Sequence, residues 1–184
     1  MVHKYAAAIL AATVLAFSAV VGSSVLPVEA QTRNFVTVKG CTGTNVYLNN
    51  AEYREFRLHN QIRVEHGLGR LCIHPALERA ARAHSREMIA KDYFSHNSYD
   101  GTPPAKRITN FGYKGWITIG ENIARGSGDW GSAGAIFDSW MHSPEHKANI
   151  LDKSYKEVGI GVASGTFEGV QGVKMWTADF GSRN

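Results

Sequence analysis

Polar and apolar residues follow two rhythms along this chain, a helical one first and a two-residue one last. From about Ala51 to His66, Phe56, Ile62 and the stem of Arg63 fall on one side, and His59 joins them as a hydrogen-bonded packing residue. Asn49 and Asn50 are capping residues before this helix, and Gly67 and Gly69 stop it. Leu71-Cys72-Ile73 reads as brief extended chain. Leu77, Ala80, Ala81, His84 and Met88 then recur at helical spacing, predicting a helix that opens at Pro75 and ends near Asp92. His84 lies on this stripe and reads as a core histidine bonded to backbone. Shorter helices are predicted over Ala105 to Asn110, over Ser132 to His142 with Ile136, Phe137 and Trp140 inward, and over Glu145 to Leu151 behind Pro144.

The rhythm then changes. Val158, Ile160 and Val162 alternate with glycines, and Val173, Met175, Thr177 and Asp179 alternate after a turn at Glu168-Gly169, which is a β-hairpin by pattern. Gly159 and Gly161 lack side chains, so a helix can pack closely there. No helix follows them, which excludes a dinucleotide loop. Trp116 to Gly120 reads as a connector, and Arg125 to Asp129 as a mobile loop. Helices first and strands last predict one α+β layered domain.

Residues 1–30 stand apart. A short polar start precedes the apolar, Ala-rich run Tyr5 to Val21, and Val28-Glu29-Ala30 supplies small residues for cleavage, so 1–30 reads as a signal peptide and Gln31 as the new N-terminus. An uncleaved membrane anchor is the competing reading; after cleavage no stable membrane span is expected, and the chain is secreted to the extracellular space. Residues 31–48 form an N-terminal extension with a short strand, Phe35 to Val38, and a turn at Gly40 to Gly43; residues 49–184 form the domain. Export gives Cys41 and Cys72 a meaning, because an oxidising compartment favours joining the only two cysteines. Two free buried thiols are the alternative. Composition adds an exclusion: 184 residues carry a net charge of +4, but the basic residues are scattered among acids, so a nucleic-acid partner is not expected.

The candidate chemistry lies in three segments. Phe94-Ser95-His96, Gly120-Glu121-Asn122 and Ser143-Pro144-Glu145-His146 are equally spaced, each among turn-forming residues beside a predicted helix. Two imidazoles and a carboxylate make a divalent-metal or acid–base site if the fold joins them. His96, Glu121 and His146 are the candidate ligands, with Glu121 as third ligand or as orienter of a histidine. Ser95, Asp100, Asn122, Ser143 and Glu145 are the candidate cleft-lining residues.

These residues sit in motifs that resemble a known family. His59-Asn60-Gln61-x-Arg63, Phe94-Ser95-His96 with Asp100-Gly101, Gly120-Glu121-Asn122-Ile123-Ala124, and Trp140-x-x-Ser143-Pro144-Glu145-His146-x-x-Asn149-Ile150-Leu151 come in order, followed by Gly159-x-Gly161 and Trp176-x-x-x-Phe180-Gly181. The set resembles the CAP superfamily (cysteine-rich secretory proteins, antigen 5 and pathogenesis-related 1 proteins; the SCP domain), in its bacterial-type form. The resemblance implies an α-β-α sandwich, with a central, mainly antiparallel sheet between helical layers and a broad cleft. Animal and plant members line that cleft with two His and two Glu. His96, Glu121 and His146 match three of these, while the second Glu falls at about Ser143.

Binding is therefore expected ahead of catalysis. The expected cofactor is a divalent metal, zinc first, without being required. The expected partners are a small apolar or lipid ligand, walled by the stretch Trp116 to Trp130, or another protein, and the chain is expected to be a monomer. The alternative is a metal-assisted hydrolase, peptidase- or esterase-like, in which Glu121 is the candidate catalytic base or Ser95, Ser98 or Ser143 a nucleophile beside a histidine.

Overall fold

The computed structural model describes residues 34–183, so the signal-peptide reading of residues 1–30 lies outside the described residues. The first elements are a hairpin of β1 (Phe35–Lys39) and β2 (Asn45–Asn49), paired antiparallel. The extension is thus two strands where one was expected, and Val46 and Leu48 reach into the main core. Helix α1 (Asn50–Glu65) follows directly. The Asn49 side chain accepts from the backbone N–H groups of Ala51 and Glu52, and the Glu52 carboxylate accepts from the Asn49 N–H in return. At the far end Arg63 is buried and donates to the carbonyls of Gly69, Ile150, Asp152 and Tyr155. One guanidinium thus ties the helix to two distant loops. His59, also buried, has Nδ1 2.9 Å from the Glu55 carbonyl and packs on Phe137 and Trp140, as its position on the stripe predicts.

The remaining elements are β3 (Cys72–Ile73), α2 (Pro75–Ala90), α3 (Pro104–Asn110), β4 (Trp116–Ser127), a 3₁₀ turn at Gly128–Gly131, α4 (Ala133–His142), α5 (Pro144–Leu151), β5 (Glu157–Phe167) and β6 (Val170–Arg183). The sheet runs β3-β5-β6-β4, antiparallel except for the short parallel β3–β5 pair. On one face Val158, Ile160, Trp176, Ala178 and Phe180 meet Ile136, Trp140 and Ile150 from α4 and α5, with α1 beside them. On the other face α2 lies on β5, because Gly159 and Gly161 present no side chain. A Cβ at Gly159 would stand 2.1 Å from the backbone of Leu77 and Glu78. Sheet between helical layers is the expected α+β sandwich. Among the described residues no helix is long and apolar enough to cross a membrane.

Cys41 and Cys72 are joined, with Cα atoms 5.3 Å apart, so the hairpin is fastened to the strand that follows α1. One expectation is corrected. Trp116 to Gly120 is no connector and Arg125 to Ser127 no loop: all belong to the 12-residue strand β4. Glycines 120 and 126 suggested turns, but here they mark close approaches. A Cβ at Gly120 would fall 2.3 Å from the Tyr155 hydroxyl, and one at Gly126 2.4 Å from the Trp130 carbonyl.

Candidate functional site

Strand β4 is an edge strand, and Glu121 sits in its middle rather than on a loop. Its register partner on β6 is Asp179, whose own partner on β5 is Gly159. Residues directly opposite one another share a face, so Glu121 points toward the α2 side, into a pocket closed by α3 and by the loop after α2. From that loop His96 brings Nδ1 to 2.7 Å from Glu121 Oε1. From α3, Arg107 donates to the other carboxylate oxygen. The same guanidinium donates to the His96 carbonyl at 2.9 Å and to the Ser98 hydroxyl at 3.2 Å. One carboxylate and one guanidinium therefore position the whole His96 segment.

His146 arrives from the opposite side, on α5. The Asn122 side chain donates to the His146 carbonyl at 3.0 Å, and Asn149 donates to Asn122 Oδ1 at 2.8 Å and to the Glu121 carbonyl. The bond to the Glu121 carbonyl satisfies one backbone acceptor of β4, and the three together fix α5 against the strand. His146 Nδ1 lies 2.8 Å from the Ser143 hydroxyl. The two histidines line one groove of about 460 Å³, with Phe94, Ser95, Asn97, Ile123 and Glu145. They are near enough that a charge on His96 lowers the pKa of His146, after burial, the larger cause. Burial, then the Arg107 charge, lowers His96 as well. Both rings are therefore neutral at neutral pH.

Glu121 is buried, which raises its carboxyl, while Arg107 opposes that shift. Asp179 is fully buried, and among the described residues neither of its oxygens accepts a hydrogen bond. Burial and the Glu121 charge beside it hold Asp179 well above the usual carboxylate range, so it keeps its proton and can donate to Glu121. Glu121 is then the ionised member, fed by His96, Arg107 and Asp179.

The predicted site residues divide accordingly. His96, Glu121 and His146 meet around one groove; Ser95 and Glu145 line it, and Ser143 holds a histidine. Asn122 is buried beneath the groove instead of lining it, and Asp100 lines a separate recess. Of the stretch Trp116 to Trp130, Ile123 borders the groove, while Trp116 and Trp130 themselves lie toward opposite ends of β4 and do not. Arg107 and Asp179 escaped the sequence reading. The Trp176-x-x-x-Phe180-Gly181 motif brackets Asp179, which was the available signal; nothing local marks Arg107.

The donor atoms of His96, Glu121 and His146 do not all converge within 4.8 Å; among the described residues the group that does is Cys41, Cys72 and Glu157, and both of its sulfurs are in the disulfide. The donor set still fits a metal in one way. Each histidine engages Nδ1, and among the described residues neither makes a hydrogen bond through Nε2. A carboxylate on Nδ1–H with Nε2 facing outward is the usual state of a metal-binding histidine. Both Glu121 oxygens are taken, so Glu121 fits the role of orienter and not that of third ligand.

Comparison with known proteins agrees with this architecture. Residues 56–180 match the model of the CAP (cysteine-rich secretory protein) family, and the chain belongs to that family. It is 33% identical over 129 residues to the Bacillus subtilis protein YkwD, covering 70% of this chain and 46% of that one. A second B. subtilis protein, the membrane protein YlbC, is 33% identical over 105 residues, covering 57% of this chain and 29% of the relative. The chain thus spans less than half the length of either. Among solved structures, an extracellular SCP-domain protein from Bacillus anthracis superposes with a TM-score of 0.61 at 25% identity, covering 77% of this chain and 47% of that one. An outer surface protein from Borrelia burgdorferi gives 0.61 at 19% identity, covering 72% and 92%, a likeness of fold.

Proposed function

We propose that this is an extracellular binding protein whose groove holds a divalent cation, zinc by preference, on Nε2 of His96 and Nε2 of His146. The observation that carries the reading is the His96–Glu121 bond. It sets the proton on Nδ1 and leaves a neutral Nε2 lone pair at the groove. Two imidazoles suit zinc, and two protein ligands leave further positions for water or a ligand donor, so binding is weak and exchangeable. A bound zinc would supply Lewis acidity to whatever oxygen or nitrogen enters the groove. The chain's own contribution is to orient two rings and keep them neutral.

Extracellular residence is supported by the disulfide, which persists in oxidising compartments, and by the extracellular B. anthracis relative. The groove mixes polar groups with a larger share of apolar surface, to which Phe94 and Ile123 contribute. It therefore suits a small ligand that carries both a polar head and an apolar part, or one side chain of a protein partner. Equilibrium dialysis of the purified protein against zinc tests the reading: about one ion retained per chain supports it, and none retained contradicts it.

One observation favours a second reading, hydrolysis. Ser143 and His146 are in nucleophile-to-base contact at 2.8 Å. If Ser143 donates, His146 carries its proton on Nε2 and cannot ligate through it; if His146 donates, Nε2 is free for metal. Among the described residues no carboxylate holds the second nitrogen of His146, and Glu121, with both oxygens engaged, is poorly placed as a base. The ring tautomer of His146, read by ¹⁵N NMR, separates the two readings.

A further inference from the structure

A second groove, of about 750 Å³, lies between α1, β1 and the segment leading into β3, and shares no residue with the histidine groove. Val38 and Lys39 of β1 both border it. Successive strand residues project to opposite faces, so the groove runs along the edge of β1 and not over one face. That edge is open. Strand β1 pairs with β2 alone, and opposed residues in an antiparallel pair alternately exchange hydrogen bonds and turn their main-chain groups outward. The Gly40 N–H donates to the Thr44 carbonyl at 2.9 Å, which sets the alternation. Phe35, Thr37 and Lys39 then turn their N–H and C=O groups away from β2. Two bonds outside the ladder agree. The Cys41 N–H, in the same phase, reaches the Ile73 carbonyl at 2.9 Å. The Tyr47 carbonyl, opposite Thr37, accepts from Arg82 at 2.7 Å instead of from β1. Among the described residues the main-chain groups of Thr37 and Lys39 have no hydrogen-bond partner, and both residues are exposed.

The walls carry charge mainly of one sign. Arg57 comes from α1, Arg70 from the approach to β3 and Lys39 from β1 itself, and among the described residues none of the three is ion-paired. Glu65, the acid on the same wall, already accepts from Gln61. A lysine on an edge strand is an ordinary guard against pairing with another sheet, but the two arginines stand on other elements and border the same groove. Tyr53, Phe56 and Leu71 supply an apolar part. A second copy of the chain is a poor occupant, because pairing β1 with β1 would bring two sets of cations together. The hairpin also lies outside residues 56–180, the stretch that matches the family model.

We infer that β1 is a docking edge for an extended peptide segment of another protein, with acidic and apolar residues in alternation, which adds to the hairpin as a third strand. Its main chain pairs with Thr37 and Lys39. Its carboxylates meet Lys39, Arg57 and Arg70, and its apolar side chains enter the groove against Phe56 and Leu71. Main-chain bonds supply the affinity, and the cations select the sequence. At about 3.3 Å per residue β1 spans about 17 Å, so about five or six peptide residues fill the edge. Docking here is independent of the histidine groove.

The test is a titration of the full chain with an acetylated and amidated hexapeptide of alternating glutamate and valine, followed by amide NMR. Saturable shifts are expected at the N–H groups of Thr37 and Lys39, with slower hydrogen exchange there. A strand offers one edge to β1, so N-methylation of alternate peptide residues is expected to weaken binding about tenfold or more in one phase. In the other phase it is expected to leave binding nearly unchanged. Lysine in place of the glutamates, or Arg57→Gln with Arg70→Gln in the protein, is expected to cost about tenfold or more as well. Both arginines are exposed, so the double variant keeps the fold. Absence of saturable shifts at Thr37 and Lys39, equal binding of the parent and both methylated peptides, or unchanged affinity for the lysine peptide overturns the proposal. So does a stable dimer of the free chain in sedimentation with those two amides already protected, which gives the edge to a second copy.

Discussion

Asp179 stands opposite Glu121 across the β4–β6 ladder, and both carboxyl groups are buried. The pair is tolerable because Asp179 is protonated and Arg107 neutralises Glu121. An acid whose folded pKa is raised keeps its proton in the fold but loses it in the unfolded chain above about pH 4. The folded state then binds more protons, so this residue lowers stability as pH rises from there toward its folded pKa. Asparagine keeps a donor toward Glu121 and removes the titration. Asp179→Asn is predicted to match wild type near pH 4 and to exceed it near neutral pH in urea unfolding. A variant less stable at every pH would contradict the assignment of the proton.

Gly159 lies beneath the peptide joining Leu77 to Glu78, where a Cβ would be 2.1 Å from main-chain atoms that cannot turn aside. Gly159→Ala must lift α2 off the sheet. A loss of about 3 kcal/mol or more is expected, at the upper end for overpacking. Gly69→Ala is the control: nothing lies within 4 Å of its Cβ, and its φ is not positive. There the change is expected to be neutral or stabilising by about 0.4–1 kcal/mol. Chemical denaturation of the two variants checks both statements.

The Cys41–Cys72 bridge closes a loop across a separation of 31 residues. In the chain-entropy account such a loop is worth about 3–4 kcal/mol. The double substitution to serine is predicted to lose roughly that much. Hydrogen exchange should rise first in the β1–β2 hairpin, which the bridge ties to β3. Uniform exchange across the chain would show that the hairpin does not depend on the bridge.

Much of this architecture is legible in the order of the residues. The Asn49 cap, the Leu77–Met88 stripe, the glycines that admit α2 and the terminal hairpin are all local patterns, and each has a direct physical reading. Strand β4 is hidden because its glycines look like turn residues, whereas they are set by atoms far away in sequence, Tyr155 beside Gly120 and Trp130 beside Gly126. The trio His96, Glu121 and His146 is visible through its motifs, and so is the alternative of Glu121 as an orienter. The charge environment is not. The contact between Glu121 and Asp179 is a matter of strand register, and that between Glu121 and Arg107 depends on where a seven-residue helix docks. Neither leaves a spacing in the sequence.

The central claim is that Nε2 of His96 and Nε2 of His146 hold a divalent cation while Glu121 orients the first ring from behind. Isothermal titration of the purified chain with zinc, beside His96→Ala, His146→Ala and Glu121→Gln, tests it most directly. The account predicts about one site in wild type, its loss in either histidine variant, and an affinity roughly 10- to 100-fold weaker in Glu121→Gln, the usual cost of removing an orienting partner. Zinc binding unchanged in both histidine variants, or absent from wild type, would contradict it.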